Sequence, residues 1–140
     1  MRCLYHRSHK DAITPTRAYG GEDAGWDLYS CEEIELKPNQ VAVKIPIGLM
    51  ISLDKGFWFE ITARSSSKLY VHRAIIDNGY RGEIFAVVSN NNSKPYTVKK
   101  GDRVAQMIIH KIIPAVWYEV SIDKLPESVR GGNGFGSSGI

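Results

Sequence analysis

Val41-Ala-Val-Lys-Ile-Pro-Ile-Gly-Leu-Met-Ile51 is the stretch that decides the fold. It is rich in β-branched and other apolar residues, which favour strands, and Pro46 and Gly48 interrupt it. No segment of the sequence shows a convincing 3.6-residue apolar period over a normal helix length. The stretch therefore predicts a long strand that contains an interruption.

The sequence after this stretch has the same strand-like texture. Phe57, Phe59 and Ile61 alternate with the residues between them, which is the period of a half-buried strand. Three later segments are apolar over strand lengths: Ile84–Val88, Val104–Ile113 and Val116–Val120. Turn signals separate the segments at Asp54-Lys-Gly56, Asp77-Asn-Gly79, Asn90-Asn-Asn-Ser93 and Lys100-Gly-Asp102. Many short strands with dense turns predict an all-β barrel or jelly-roll-like sandwich.

Composition narrows the class of protein. The chain has 140 residues, which fits one domain, and its net charge of +3 only weakly favours an anionic partner. Lys and Arg are dispersed and no standard recognition motif occurs, so we expect no nucleic-acid partner. No apolar run approaches the ~20 residues of a membrane span, and the N-terminus lacks the apolar segment of a secretory signal. Cys3 and Cys31 form neither a CxxC pair nor a metal-ligand spacing, so we expect a reducing compartment, the cytoplasm or a host cytosol.

Two segments depart from the strand texture. Residues 11–25 are rich in Pro, Thr, Gly and Asp and predict a loop before the first strand. Residues 130–140 are rich in glycine with few large apolar side chains, so composition alone predicts a disordered tail. A plain linker, however, has no need of Arg130 and Phe135. We therefore expect a β domain over residues 1–129 and a Gly-rich lid over residues 130–140 that belongs to the same domain.

Four clusters before the tail could carry chemistry, and each has a structural alternative. Asp27 suits Mg²⁺, which prefers oxygen ligands, or is a strand-edge carboxylate. Arg64-Ser-Ser-Ser-Lys68 suits phosphate oxygens, or is a solvated turn. Asp77-Asn-Gly-Tyr80 could hold a general base beside an aromatic, or form a type I′ hairpin turn. In Gly101-Asp-Arg-Val-Ala-Gln106, Asp102 and Arg103 could form an ion pair, whereas the amide of Gln106 needs partners and suggests a site or an interface.

The tail has the ingredients of an anion-binding loop. Its glycines allow backbone N–H groups to converge on phosphate oxygens, Arg130 adds charge, and Ser137 and Ser138 add donors. Phe135 can stack on a base. The tail lacks the Lys-Ser/Thr ending and the following helix of a Walker A loop, so it is not that motif.

Taken in order, the five clusters resemble the five motifs of the homotrimeric dUTP pyrophosphatase (dUTPase) family. The matching segments are Ala24-Gly-Trp-Asp-Leu-Tyr-Ser30, Arg64-Ser-Ser66, Ile76-Asp-Asn-Gly-Tyr-Arg-Gly-Glu-Ile84, Gly101-Asp-Arg-Val-Ala-Gln106 and Arg130-Gly-Gly-Asn-Gly-Phe-Gly-Ser-Ser-Gly139. The resemblance runs from about Ala12 to the C-terminus. It implies an all-β, β-clip or jelly-roll-like distorted barrel in a three-fold trimer with active sites between subunits. It also implies hydrolysis of dUTP to dUMP and pyrophosphate with Mg²⁺ on the triphosphate.

The resemblance implies roles for individual residues. Asp77 corresponds to the carboxylate that activates the water attacking the α-phosphorus, and Tyr80 to the aromatic under the deoxyribose. Asp27 corresponds to the first-motif carboxylate, near the metal through water. Contacts with the phosphates or the base are implied for the remaining residues: Arg64, Ser65, Ser66, Gln106, Arg130, Phe135, Gly136, Ser137 and Ser138.

The sequence departs from the family pattern before Asp77. The segment from Ser65 to Asp77 is several residues shorter than the pattern, and Ala74 replaces a usual glycine. In the family this segment builds the hairpin that reads uracil, so an altered nucleotide selectivity is one alternative function. A regulatory protein-binding role is a second, separate alternative. The dCTP deaminases share the fold, but Val87 stands where their glutamate would lie. Because valine cannot move protons, deamination is disfavoured.

Overall fold

The computed structural model describes residues 1–139, so Ile140, the last residue of the expected lid, lies outside the described residues. This part of the chain contains ten strands and one 3₁₀ turn, Ile122–Lys124. The strands are β1 Cys3–Arg7, β2 Trp26–Tyr29, β3 Ile34–Leu36, β4 Val43–Leu53, β5 Phe57–Thr62, β6 Tyr70–His72, β7 Ala74–Ile76, β8 Glu83–Ser89, β9 Tyr96–Val98 and β10 Arg103–Lys111. Within residues 1–139 no helix is long and apolar enough to cross a membrane.

The strands form two four-stranded antiparallel sheets, ordered β1-β4-β8-β6 and β2-β10-β5-β7, and a separate pair, β3-β9. The core consists of apolar side chains contributed by both larger sheets. Among its fully buried members are Leu28, Ile45, Ile47, Leu49, Ile61, Ile84 and Val88. Burying each such side chain contributes at most about 1.5–3 kcal/mol to folding. The predicted all-β, jelly-roll-like fold is confirmed.

Strand β4 explains the interruption predicted within Val41–Ile51. Its pairing with β8 shifts register between Pro46 and Met50, which marks a bulge. Gly48 has φ +75 inside the bulge, a left-handed conformation that L side chains rarely adopt. Before the bulge β4 pairs with β8, and from Leu49 onward it also pairs with β1. The bulge therefore lies where β1 joins the sheet beside β4.

Two expectations about the ends of the chain are wrong. The loop over residues 11–25 exists but does not precede the first strand, because Cys3–Arg7 pairs with β4 as an edge strand. Val116–Val120 forms no strand, and Trp117 within it is 94% exposed. A strand needs backbone partners, and nothing among residues 1–139 offers them at this segment.

Candidate active site

Three predicted site residues gather where β2, β10 and β5 lie side by side. Asp27 of β2 is the register partner of Gln106 of β10, and Gln106 is in turn opposite Thr62 of β5. Arg64 follows β5 by two residues. Directly opposed residues of paired strands lie ~5 Å apart, so strand pairing brings motifs that are distant in sequence into contact.

The carboxylate of Asp27 lies between two arginines. Arg64 donates through Nε to Oδ1 at 2.8 Å, and Nε of Arg103 lies 3.6 Å from Oδ2. The Asp27 side chain is only 14% exposed, and a buried carboxylate of this kind requires such partners. Arg103 also donates to Tyr29 Oη at 3.3 Å. Tyr29 first, and then Asp27, raise the pKa of Arg103, so this guanidinium remains charged.

The alternative ion pair between Asp102 and Arg103 is wrong. The Asp102 carboxylate instead accepts a hydrogen bond from the backbone N–H of Lys99 at 2.8 Å and closes the turn before β10. This leaves the Arg103 side chain free to reach across to Asp27. The fourth motif thus uses its aspartate for local structure and its arginine for the site.

Gln106 meets the expectation that its amide has a partner. It is half-buried, and Nε2 donates to the carbonyl of Ala63 at 2.9 Å. A Cβ added at Gly25 would overlap Oε1 of Gln106 and lie 3.2 Å from the carbonyl of Met107. A side chain at Gly25 would therefore displace the amide of Gln106 from its position.

The Arg64–Ser67 turn projects hydroxyl groups beside this cluster. The backbone N–H of Arg64 donates to Ser67 Oγ at 2.9 Å, and the N–H of Ser67 donates to the Arg64 carbonyl at 3.0 Å. Ser65 and Ser66 are exposed at the tip of this turn. A cleft of about 400 Å³ adjoins it, with Arg64, Lys68 and Arg103 as its cationic lining residues. Its only acidic lining residue is Asp102, so the cleft suits a polyanion.

The second part of the site is the turn Asp77-Asn-Gly-Tyr80. This turn joins β7 to β8, which belong to different sheets, so the hairpin alternative is wrong. The N–H of Tyr80 donates to the Asp77 carbonyl at 3.0 Å. Nδ2 of Asn78 donates to the carbonyls of Asp54 at 2.9 Å and Phe57 at 2.8 Å. The turn is thereby held against the β4–β5 connection while the Asp77 side chain stays exposed.

Tyr80 is fixed beside Asp77 by backbone contacts. Its hydroxyl donates to the Glu83 carbonyl at 2.9 Å. A Cβ added at Gly82 would overlap the phenol and lie 3.0 Å from Cε2, so only glycine permits this ring position. The residue remains 44% exposed. A rigid aromatic surface therefore stands next to an exposed carboxylate.

These two parts lie at opposite ends of β5. The register pairs Ile76 with Phe59, which places Asp77 next to Trp58, whereas Gln106 pairs with Thr62. At ~3.3 Å per residue, positions 58 and 62 are about 13 Å apart along the strand. The Asp77 turn and the Arg64–Gln106 cluster are therefore two separate parts within one chain.

Within residues 1–139, the hydrogen bonds of the tail join it to neither part of the site. Residues 111–139 are all exposed, and Phe135 is fully so. Arg130 donates only to the nearby carbonyls of Asn133, at 2.8 Å, and Gly134, at 3.3 Å. Gly136, Ser137 and Ser138 belong to local turns of the same segment. The tail residues predicted to contact the phosphates and the base thus make only local hydrogen bonds within the described chain.

A buried carboxylate lies on the outer face of the same sheet and was not predicted. Glu60 is 9% exposed, pairs with Arg73 and accepts from His110 Nε2 at 2.9 Å. Burial alone would raise the pKa of Glu60, but hydrogen bonds from His110 and Arg73 outweigh it and hold the pKa below its usual value. The His110 ring also stacks on Trp58, with centroids 4.5 Å apart. The alternation along β5 indicates that Glu60 faces outward, but it does not predict that Arg73 and His110 are the partners of Glu60.

An exposed carboxylate beside a fixed aromatic, together with a separate cationic cleft, fits the hydrolysis of a phosphate ester or anhydride, which depends on positioning and charge stabilisation. A family model described as dUTPase matches residues 10–139. The chain belongs to the dUTPase family.

Curated relatives span the whole chain. Proteins named deoxyuridine 5'-triphosphate nucleotidohydrolase are 41% identical in Solibacter usitatus, over 99% of this chain and 97% of that protein, and 38% identical in Clostridium novyi, over 100% of both. The dUTPase of Staphylococcus bacteriophage 80alpha, solved as a G164S mutant with dUpNHpp, has a TM-score of 0.88 and 25% identity over 99% of each chain.

Proposed function

We propose that this chain hydrolyses dUTP to dUMP and pyrophosphate. Asp77 takes a proton from water, the water oxygen bonds to the α-phosphorus, and the bond from that phosphorus to the bridging oxygen breaks to release pyrophosphate. The observation that carries this assignment is the exposed Asp77 carboxylate on a turn clamped by Asn78, with Tyr80 beside it. A positioned base of this kind contributes ~10²–10⁴-fold to the rate. The dUTP-hydrolase names of relatives over the full chain support the substrate.

We infer that the active site is shared between copies of the chain in a homotrimer. Asp77 and Tyr80 of one copy would face Arg64, Ser65, Ser66 and Gln106 of another, because about 13 Å separates the two parts within one chain. Exposed apolar side chains on the segment before the tail also need a cover, which a second copy can supply. Among them are Ile113, Trp117 and Tyr118, at 78%, 94% and 81% exposure.

The tail would act as a lid over a neighbouring site. Its side chains are free to bind elsewhere, because Arg130 has only local partners and Phe135 is fully exposed. In this role Arg130 binds the γ-phosphate, Phe135 covers uracil, and the backbone of Gly136 with the hydroxyls of Ser137 and Ser138 binds phosphate oxygens. Residues 1–129 and 130–140 would thus be parts of one domain.

Mg²⁺ would be carried by the triphosphate. Magnesium keeps several waters and usually binds substrate phosphates with one or two carboxylates. Asp27 contacts Arg64 of the Arg64–Ser67 turn, but both its oxygens face guanidinium groups. The residues therefore fit an ion that Asp27 reaches only through water. When bound, the ion would neutralise charge on the phosphates, while Arg64 and Lys68 supply the fixed positive charge.

The short segment before Asp77 favours one alternative, altered base selectivity. β6 pairs only with β8 and β7 pairs only with β5, so each is an edge strand of its sheet. The backbone from Tyr70 to Ile76 is therefore free to read uracil only on the side of each strand that faces away from its partner. We accordingly expect looser discrimination between dUTP and dTTP.

Pyrophosphate release from dUTP, dCTP, dTTP and UTP, each with Mg²⁺ and with EDTA, tests these proposals. We expect turnover of dUTP that EDTA abolishes. Comparable rates on dUTP and dTTP would support relaxed base selection, and no turnover of any nucleotide would contradict the proposed function. Light scattering of the same preparation should give the mass of a trimer.

We also propose a reducing compartment, the cytoplasm or a host cytosol. Both cysteines are free thiols, Cys3 exposed on β1 and Cys31 buried after β2. An exposed thiol such as Cys3 persists only where disulfide formation is disfavoured. The measurement is the mass of protein unfolded in an alkylating agent at the moment of isolation, with two alkylated cysteines expected.

A further inference from the structure

His9, Cys31 and Glu32 form a cluster of three different metal-binding groups outside the active site. His9 lies in the loop after β1, and Cys31 and Glu32 follow β2. One ligand atom from each residue lies within 4.8 Å of the others. The spacing of the cysteines in the sequence gave no sign of a metal site, because the three ligands come together only through the fold.

The geometry of the cluster suits a metal better than a hydrogen bond. His9 Nε2 lies 3.6 Å from Glu32 Oε1, which is too long for a good N–H···O bond. Tetrahedral zinc holds nitrogen and oxygen at ~2.0–2.1 Å, so two such ligands lie about 3.3 Å apart. The third ligand, Cys31, is 1% exposed, and its Sγ lies within 4.8 Å of the other two ligand atoms. Small side-chain movements would close the three groups around one ion.

The β4 bulge forms the floor of the cluster. A Cβ added at Gly48 would lie 2.8 Å from His9 Cβ and 3.2 Å from Cys31 Sγ, so any side chain there would disrupt the cluster. Backbone hydrogen bonds hold both sides in place. Ser8 N–H donates to the Gly48 carbonyl at 2.9 Å, and Cys31 N–H donates to the Pro46 carbonyl at 3.0 Å.

We propose that His9 Nε2, Cys31 Sγ and the Glu32 carboxylate bind one Zn²⁺, with water as the fourth ligand. Thiolate and imidazole ligands favour zinc over the hard Mg²⁺. A thiolate and a carboxylate also neutralise the two charges of the ion. The metal would join the loop after β1 to the connection between β2 and β3, and it would stabilise the folded chain without taking part in dUTP hydrolysis.

Binding requires two proton movements. The Cys31 thiol now donates to the Pro46 carbonyl at 3.3 Å, and burial followed by the charge of Glu32 raises the pKa of the thiol. Zinc displaces this proton to solvent. His9 Nδ1 accepts from the Asp11 N–H at 3.0 Å, so the neutral ring carries its proton on Nε2. Zinc bound at Nε2 requires the other tautomer, so the ring proton moves to Nδ1 and the hydrogen bond from the Asp11 N–H is given up.

Cobalt titration of the metal-free full-length protein, without nucleotide, tests the site. The wild type should bind one equivalent of Co²⁺ with a thiolate-to-cobalt charge-transfer band, which Zn²⁺ should abolish by displacement. Cys3→Ser, the matched control at the other cysteine, should keep the band, and Cys31→Ser should lose it. His9→Gln changes a half-buried side chain and Glu32→Gln an exposed one. Each should weaken Zn²⁺ binding at least about tenfold, because losing even a residue that hydrogen-bonds a metal ligand costs that much.

A second readout is thermal unfolding with and without Zn²⁺. Zinc should raise the Tm of the wild type and of Cys3→Ser, but it should not raise the Tm of Glu32→Gln. Because Glu32→Gln keeps the buried thiol, it tests the site even if Cys31→Ser folds poorly. The proposal is overturned by the absence of a charge-transfer band in the wild type, by a band that persists in Cys31→Ser, or by a band lost in Cys3→Ser.

Discussion

Replacing Asn78 by alanine should loosen the turn that carries Asp77. Nδ2 of Asn78 makes hydrogen bonds of 2.9 and 2.8 Å to the carbonyls of Asp54 and Phe57. Each contributes about 0.5–1.5 kcal/mol, and each carbonyl left without a partner in this half-buried position adds to the loss. We expect Asn78→Ala to lower the free energy of unfolding by about 2–3 kcal/mol, which is a fall in Tm of roughly 10 °C for a domain of this size.

The same variant should lose turnover more than substrate binding. A displacement of about 1 Å at a catalytic group costs up to ~10²-fold, so we expect kcat to fall about 10–100-fold with KM little changed. The assays are thermal unfolding and steady-state release of pyrophosphate. Asn91→Ala is the matched control, because the Asn91 side chain is exposed and makes no hydrogen bond within the described part of the chain. A Tm of Asn78→Ala within about 1 °C of that control would refute the anchoring role.

Further expectations concern the base, the lid, a glycine and a buried carboxylate. Asp77→Asn should lose about 10²–10⁴-fold in kcat while still binding dUTP with unchanged Tm, and near-full turnover would exclude Asp77 as the base. Deleting residues 130–140 should abolish turnover but leave the protein assembled as a trimer. An active truncated protein would show that the lid is dispensable. Gly25→Ala should displace Gln106 and lower kcat/KM for dUTP about tenfold or more, and unchanged kinetics would refute the close contact. Folding lowers the pKa of Glu60 below its unfolded value of 4.5. The stabilisation that Glu60 contributes is therefore present above pH 4.5 and is lost as the pH falls through the lower pKa of the folded state. Chemical unfolding of wild type and Glu60→Gln should therefore differ at neutral pH and converge in acid, and a constant difference would contradict this assignment.

Local sequence patterns predicted most of the strands. The apolar Val41–Ile51 and the alternation of Phe57, Phe59 and Ile61 became β4 and β5, because burial on one face of a sheet is written into every second residue. The interruption at Gly48 became a bulge for the same local reason, a backbone conformation that favours glycine. The strand predicted at Val116–Val120 does not form, because β propensity takes effect only beside a neighbouring strand, which residues 1–139 do not supply.

The site was predictable in its parts but not in its arrangement. The motif residues were found from the sequence, whereas the partners of Asp27, Arg64 and Arg103 depend on the register of β2, β5 and β10. Asn78 gave no signal beyond a turn, since its function as an anchor depends on carbonyls more than twenty positions away. The separation of Asp77 from Arg64 likewise follows from strand order, which no local pattern encodes.

Mixing two inactive variants tests most directly whether the active site is shared between copies. Asp77→Asn removes one part of the site, and Arg64→Gln removes the charge of the other while keeping a donor for Asp27. Each should be nearly inactive alone. After unfolding and refolding at a 1:1 ratio, a site that takes Asp77 from one subunit and Arg64 from its neighbour is intact in about a quarter of cases. We therefore predict recovery of roughly 25% of wild-type pyrophosphate release, whereas no recovery from a mixed trimer would show that each chain completes its own site.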